Sequence, residues 1–398
     1  MRNKSYTSLM FVLALSGVSA ARAEDTPAET PAPTSAAMAM PTMAGSLSAN
    51  ANPASINAGP IGNVYVTGAI SGIAFAQSST FPGDNDARID LSNGQIIAQT
   101  TEGLVQFYVQ AGGYSFPSLG TAYTPVDKTV SNTFGVVPVA FVKLVPSDSF
   151  SIYAGKLPTL IGGEYAFSYE NMNIERGLLW NQENIVNRGV QVNYTVGALT
   201  LNAALSDGYY SDRLNWITGA ATYVIDPANS VYVQAGGAMS QNSYSSTATS
   251  SVYNNSQMYV AGYTYTNAPF TISPYVQYTV VPKYAEIGVL HEGETFGAAL
   301  LASYAFTDPA LEGVSLPVRV EYITSSGSST DGSPNLLYGP GSTAFSVTVT
   351  PTYQAGAFFG RFELSYVGAS GTAAGSAFGS SGTDKSQFRG LLEAGFIF

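Results

Sequence analysis

The sequence predicts an all-β protein, a transmembrane antiparallel β-barrel of about 16 strands with short periplasmic turns and long extracellular loops. Three observations predict this class. Apolar and polar residues alternate with period two, short and long connections alternate along the chain, and an alternating segment ends on a terminal phenylalanine. Composition agrees, because 45% of the 398 residues are hydrophobic and only 10% are charged, whereas soluble domains carry about 25% charged residues.

The first element, residues 1–23, is predicted to be a secretory signal peptide. Arg2 and Lys4 precede an apolar run at 9–18, and residues 21–23 form a small-residue cleavage site, so we expect cleavage after Ala23. An uncleaved anchor is the alternative, but the apolar run is short for a spanning helix. The removed segment is basic, so the mature chain is more acidic than the −11 of the full sequence, which argues against nucleic-acid binding.

Residues 24–60 are predicted to be a disordered periplasmic linker, because Ala, Pro, Thr, Ser and Met dominate them and supply no core. Residues 61–398 are predicted to form the barrel. Alternation is clearest at 270–280 and 345–350. The predicted strands lie at 62–76, 87–100, 104–114, 133–145, 149–157, 186–196, 199–208, 213–225, 230–240, 255–267, 270–282, 294–306, 314–324, 343–354, 358–368 and 386–398.

The connections distinguish a barrel from a soluble sandwich, which would also show alternating strands. Every second connection is short, as at 101–103, 197–198 and 355–357, whereas most of the others are long and polar, as at 241–254 and 325–342. A membrane barrel has tight turns at one end and loops at the other. A sandwich has no reason to sort its connections in this way.

Charged residues indicate which face of each strand is inside. Val318, Val320 and Tyr322 share one face of a predicted strand, and Arg319 and Glu321 share the other. An arginine facing lipid at mid-bilayer costs about 2–4 kcal/mol, so we assign the charged face to the lumen and expect aromatic girdles on the lipid face. The same alternation places four further charged residues inside, namely Arg361, Glu363, Arg389 and Glu393.

Two segments give the chain a family resemblance. The end LLEAGFIF, with Phe396 and Phe398, resembles the last-strand signal that the barrel-assembly machinery recognises in outer-membrane barrels. The stretch from Gly155 to Tyr194, with a strand that opens on Arg-Gly-Val, resembles the OmpL-like β-barrel porin family, as do the pairs Arg319/Glu321 and Arg361/Glu363. The resemblance covers residues from about 62 to the C-terminus. It implies a location in the bacterial outer membrane and passive transport without catalytic residues.

The third long connection, at about 157–184, is the most informative loop. In sixteen-stranded general porins this loop folds into the lumen, and by similarity we expect the same here; a loop lying over a neighbouring subunit is the alternative. Its acids would then face wall bases and set a transverse field. The candidate pore-lining residues are Glu164, Glu170, Glu175 and Arg176 in the loop, and Lys143, Lys156, Arg319, Glu321, Arg361, Glu363, Arg389 and Glu393 on the wall.

No residue pattern favours an enzyme. The sequence has no cysteine, and its one histidine, His291, lies in a polar loop beside acids, as solvated surface histidines do. Asp84 and Asp86 could offer oxygen ligands to calcium, but a turn capped by these side chains explains them better. We therefore expect no catalytic residues, metal or cofactor.

The expected function is that of a porin, a water-filled channel for passive diffusion of small hydrophilic solutes, with a mild cation preference from the acidic charge. Outer-membrane lipid is the expected surrounding, and a homotrimer is expected from analogy with general porins. The alternative is a non-conducting barrel that acts as a surface adhesin or structural protein. A plugged or narrow lumen would favour that alternative.

Overall fold

The computed structural model describes residues 43–398 and shows a closed antiparallel β-barrel of sixteen strands. Eighteen strand segments form one sheet. The first lies outside the barrel, and β15 and β16 are two parts of one barrel strand, since both pair with β14 and with β17. The segments are β1 (Ala54–Asn57), β2 (Asn63–Gln77), β3 (Ala87–Gln99), β4 (Val105–Tyr114), β5 (Val139–Ser147), β6 (Phe150–Pro158), β7 (Val186–Val196), β8 (Leu199–Ser206), β9 (Trp216–Asp226), β10 (Asn229–Ala238), β11 (Gln257–Asn267), β12 (Phe270–Val281), β13 (Gly293–Ala305), β14 (Val314–Ser325), β15 (Thr343–Val349), β16 (Thr352–Ala355), β17 (Phe358–Ser370) and β18 (Ser386–Ile397).

Helical structure is confined to the connections. Within residues 43–398 there is one α-helix, α1 (Val126–Asn132), and six single-turn 3-10 helices. No helix of the described part is long and apolar enough to cross a membrane. The 3-10 helices are Gly59–Ile61, Ser168–Glu170, Trp180–Gln182, Tyr253–Asn255, Ala285–Ile287 and Pro309–Leu311.

The barrel closes between its last and first strands. β18 pairs antiparallel with β2 in a register that runs from Arg389 opposite Gln77 to Ile397 opposite Ala69. Closure leaves no unpaired sheet edge, which satisfies the backbone of every strand in lipid. The predicted fold class, with about 16 strands and alternating short and long connections, is confirmed. We call the two ends of the barrel the turn end and the loop end.

Two predicted strands differ from the structure for local reasons. The strand predicted at 133–145 begins only at Val139, because α1 and a turn with a positive φ at Gly135 occupy the preceding chain. The strand predicted at 343–354 is interrupted at Pro351, which has no backbone N–H to donate to a neighbouring strand.

The inward face of the barrel wall is polar and charged and the outward face is apolar, as the alternation predicts. On β14, Arg319 and Glu321 are 0% and 2% exposed, whereas Val320 between them is 44% exposed. On β17, Arg361 is buried and Phe362 is exposed. Inward side chains are therefore covered by other protein, and the apolar outward side chains are left for lipid.

Exposed aromatic side chains form a belt near each end of the barrel, where outer-membrane barrels place their interfacial girdles. Members at the turn end are Tyr194, Tyr223, Phe270, Tyr353, Phe358, Phe396 and Phe398. Members at the loop end are Phe296, Tyr322, Phe345 and Phe388.

The described part of the predicted linker is not disordered. Ala54–Asn57 forms β1, which pairs with the start of β2, and Leu47 is 2% exposed. The composition of this segment predicts that it cannot form a hydrophobic core of its own. In the structure, Leu47 is buried instead by side chains inside the barrel. The predicted signal peptide at 1–23 and the linker up to residue 42 lie outside the described residues.

Candidate functional site: a loop anchored across the lumen

The connection between β6 and β7, residues 159–185, lies inside the barrel, and we call it the inner loop. Every residue from 167 to 180 is buried. The loop leaves one side of the barrel and contacts inward side chains of β14, β17 and β18 on the opposite side. Residues 159–185 thus cross the lumen, as expected for the third long connection.

Three wall arginines bind the inner loop. Arg319 pairs with Glu164 (Nη1 to Oε1, 2.6 Å) and donates to the carbonyl oxygen of Glu175 at 2.6 Å. Arg389 forms an ion pair with Glu175. Arg361 pairs with Glu393 on the neighbouring strand and donates to the carbonyl oxygen of Ser168 at 3.0 Å. Such charge-assisted hydrogen bonds are stronger than neutral ones.

Two wall glutamates each hold a pair of consecutive backbone amides of the inner loop. Glu363 accepts hydrogen bonds from the N–H groups of Ile174 (2.6 Å) and Glu175 (3.1 Å). Glu321 accepts them from Leu178 (3.0 Å) and Leu179 (3.2 Å). These contacts satisfy loop amides that would otherwise be buried without partners. Both signs of charge on the wall therefore anchor the same loop.

A glycine permits this close approach. Gly177 lies against Glu321, and an added Cβ would overlap the carboxylate. The Gly177 N–H also donates to Oε2 of Glu164 at 2.6 Å. The loop backbone can therefore lie directly on the charged wall.

Acids exceed bases by three among the charged residues of the inner loop and the wall beneath it. All of them are buried, so little water screens the charges of those that are ionised. They are Glu164, Glu170, Glu175, Glu183, Glu321, Glu363 and Glu393, against Arg176, Arg319, Arg361 and Arg389.

Two loop glutamates of this set, Glu170 and Glu183, are stabilised in their protonated form. Glu170 accepts one hydrogen bond, from the N–H of Phe167 at 3.1 Å, and burial raises its pKa to about 8. Neither carboxyl oxygen of Glu183 has a hydrogen-bond partner within residues 43–398. Burial, reinforced by the negative charges of Glu164 and Glu321, raises the pKa of Glu183 well above its usual range.

The structure does not bring every candidate residue into this network. Lys143 lies beside the stacked rings of Phe141 and Tyr153, with its ammonium 5.8 Å and 5.6 Å from their centroids. Lys156 donates to the carbonyl oxygens of Phe134 and Val137 in the preceding connection. Both lysines therefore lie apart from the loop acids that we expected them to face.

Arg176 is in the inner loop but pairs with rings rather than with an acid. Its guanidinium lies 5.1 Å from the centroid of Trp180 and 5.6 Å from that of Phe116. Burial lowers the pKa of Arg176 to about 10.

The network also differs from the expected transverse field. Acids and bases were expected to face each other across an open gap, but the inner loop lies on the opposite wall, so the charges make direct contacts such as Arg319–Glu164. The inward side chains beside these contacts are buried as well. Protein fills the lumen at this level.

Uncharged polar residues complete the anchoring. Asn173 donates to Oγ1 of Thr350 at 2.7 Å, and Gln182 accepts from Thr279 and Thr295 at 3.1 and 2.8 Å. Sequence reasoning missed Asn173 and Gln182, because an isolated amide carries no charge or motif that distinguishes it. Alternation predicted only that the two threonines point inward.

The histidine and the aspartates considered in the sequence analysis lie outside the inner loop. His291 is exposed in the connection between β12 and β13. Asp84 accepts hydrogen bonds from Gln77, Asn85 and Tyr123, as a residue that stabilises a turn does. Within residues 43–398, no group of three or more Asp, Glu or His side chains is placed to hold a metal ion.

Comparison with known proteins gives a family match over most of the chain. Residues 63–398 match the family described as "Putative beta-barrel porin-2, OmpL-like". The matched region begins at the first residue of β2 and includes the whole barrel. No curated protein matches the chain.

Solved structures share the fold at low sequence identity. The anion-selective porin from Comamonas acidovorans is 12% identical, with a TM-score of 0.55 over 84% of this chain and 99% of that one. A trimer form of OmpT, an outer membrane protein of Vibrio cholerae, is 12% identical, with a TM-score of 0.53 over 84% and 99%. OccK1 of Pseudomonas aeruginosa is 10% identical, with a TM-score of 0.50 over 84% and 98%.

Proposed function

Because the chain belongs to the OmpL-like beta-barrel porin-2 family, whose members are outer-membrane porins, we propose that it forms a narrow channel for passive diffusion of small hydrophilic solutes. The inner loop anchored across the lumen carries this proposal. A loop of this kind limits the size of what can pass, and the wall around it supplies the polar surface that a hydrated solute needs.

The distribution of polarity supports a solute pathway inside the barrel. Outward positions such as Val320 and Phe362 are apolar, and inward positions such as Arg319, Glu321 and Arg361 are charged. A barrel that only needed to be stable in lipid could fill its interior with apolar side chains. Buried ion pairs are costly to desolvate, and here they hold the inner loop in place, so the charged interior sets the position of the element that limits the passage.

The excess of acids suggests the charge preference. Three more glutamates than arginines lie in and around the inner loop, so at a pH above about 8, where Glu170 is ionised, a passage beside the loop would carry a negative potential and favour cations. The related structure from Comamonas acidovorans is described as anion-selective. At 12% sequence identity, the charged residues of that lumen do not predict those of this one.

The filled lumen is the observation that favours a second candidate, a non-conducting barrel that acts as an adhesin or structural protein. Residues 167–180 are buried without a break. In the porin proposal this is the restricted conformation of the channel. In the second candidate it is the permanent state.

Swelling of proteoliposomes in isotonic sugars tests the proposal. Wild-type protein should admit monosaccharides faster than di- and trisaccharides. A double variant, Glu321→Gln with Glu363→Gln, should loosen the inner loop and admit larger sugars. Glu312→Gln, an exposed acid in the turn between β13 and β14, is the matched control and should behave as wild type. Equal impermeability of all three folded proteins would contradict the proposal and favour the second candidate.

Further features belong to the same proposal. One related structure is a trimer form, and we propose a homotrimer here as well. The C-terminal residues Phe396 and Phe398 are proposed as the signal for the barrel-assembly machinery. A channel of this kind needs no catalytic residues or cofactor, and we propose none.

A further inference from the structure

The segment just before β1 lies across the turn end of the barrel, and we call residues 43–50 the N-terminal strap. Its central residue, Leu47, is 2% exposed and packs in a cluster with inward side chains of several strands. The wall members of this cluster near the turn end include Ala69, Ile97, Tyr108, Phe359 and Ile397. The strap therefore occupies the mouth of the lumen.

Contacts on well-separated strands show that the strap crosses the mouth. Ser48 donates its N–H to Oε1 of Gln354 on β16 at 2.7 Å, and the Gln354 amide donates to the carbonyl oxygen of Ser48 at 3.0 Å. A Cβ at Gly45 would lie 3.6 Å from Oγ1 of Thr271 on β12. β1 holds the other end of the segment against β2.

The strap also touches the inner loop. The N–H of Ala44 donates to the carbonyl oxygen of Glu170 at 2.8 Å. Phe167 and Tyr169 of the inner loop belong to the same buried cluster as Leu47. The two elements that fill the lumen are therefore in direct contact, with the strap on the turn-end side.

The barrel closes without the strap. β18 pairs with β2, and the family match begins at residue 63, after the strap. The sequence from 43 to 50 contains no charged residue, so its docking depends on buried Leu47, on partly buried Met43 and Ala44, and on a few hydrogen bonds. A segment held by so few contacts can detach without unfolding the wall.

From this geometry we propose that the N-terminal strap is a gating segment, which braces the inner loop from the turn end and thereby restricts the channel. The inference rests on the channel function proposed above. When the strap leaves the mouth, the inner loop loses its contact at Glu170 and the passage widens.

Single-channel recording of variants tests the inference. Deletion of residues 43–50, and separately Leu47→Asp, should raise the conductance above that of wild type, because a buried aspartate in this cluster would be an unpaired charge. Ile56→Asp places the same charge on an exposed residue of β1 and should leave the conductance unchanged. If wild type conducts and both strap variants have the same conductance as wild type, the proposed gating role of the strap is contradicted while the proposed channel function is supported. If no variant conducts, both fail.

Thiol labelling measures docking directly, because the sequence has no cysteine. Leu47→Cys should react slowly with a water-soluble thiol reagent, whereas Ser55→Cys on exposed β1 should react rapidly. Attachment of a charged group at position 47 should then raise the conductance. Equally rapid labelling at both positions would show an undocked strap and overturn the inference.

Discussion

At the residue scale, the wall carboxylates act as acceptors for the backbone of the inner loop. Glu363 and Glu321 each accept two consecutive N–H groups, which a carboxylate can do because it has two equivalent acceptor oxygens. The arginines beside them offset part of the cost of burying these charges. The inner loop thus has fixed anchor points.

Glu363→Gln should loosen this anchor. The glutamine side chain has a single acceptor oxygen, so one of the two loop amides loses its partner, at a cost of about 1–3 kcal/mol. We expect a lower urea midpoint and a change in the fluorescence of Trp180, which lies in the inner loop. Glu312→Gln is the control, and an unchanged midpoint for Glu363→Gln would show that the amide contacts do not stabilise the loop.

Glu170 should make the channel sensitive to pH. Burial in the inner loop raises its pKa from 4.5 to about 8, so the restricted conformation binds this proton more tightly than an opened one. The stabilisation is complete below about pH 4.5 and is lost as the pH rises through about 8. Conductance should therefore increase over this range.

Glu170→Gln should flatten this pH dependence, because the amide keeps the neutral form at every pH. The groups around Glu170 are Tyr108, Tyr165, Tyr169 and Arg176, and none of them should titrate over the same range. Glu183 should add to the effect in the same direction. A pH profile unaltered by Glu170→Gln would exclude Glu170 as the responsible group.

At the element scale, the last strand both closes the barrel and presents its terminal aromatic. Phe398 exchanges backbone hydrogen bonds with Gly68, at 2.8 and 3.0 Å, and its ring packs against the same glycine. Phe396 lies 5.7 Å from Phe358, measured between ring centroids.

Phe398→Ser should reduce the amount of assembled, heat-modifiable barrel in cells, because it removes the terminal aromatic while keeping the backbone contacts. Phe388→Ser changes an exposed aromatic at the opposite end of β18 and should assemble normally. Normal assembly of Phe398→Ser would show that β18 does not carry the assembly signal.

Val320→Arg should destabilise the barrel by about 2–4 kcal/mol if position 320 faces the bilayer centre. Val320→Leu keeps an apolar side chain there and should cost little. Unfolding in lipid vesicles measures the difference. Equal stability of the two variants would place position 320 away from lipid.

At the scale of the whole molecule, sequence periodicity is enough to predict the barrel, because each strand obeys a local rule. Residues such as Arg319 and Val320 alternate in sequence as they alternate between lumen and lipid. The path of the inner loop depends instead on contacts between distant residues, such as Glu164 with Arg319, which no local pattern encodes. The docking of residues 43–50 cannot be predicted from their sequence for the same reason, because the side chains that bury Leu47 come from distant barrel strands.

The most direct test of the channel is the conductance of the refolded wild-type protein in a planar bilayer, with the reversal potential measured in a salt gradient. We predict small stepwise openings and, above about pH 8, a reversal potential of the sign expected for cations, because Glu170 is then ionised and the ionised glutamates around the inner loop outnumber the arginines. Complete absence of openings from folded, β-rich protein would contradict a channel and identify the filled lumen as its permanent state.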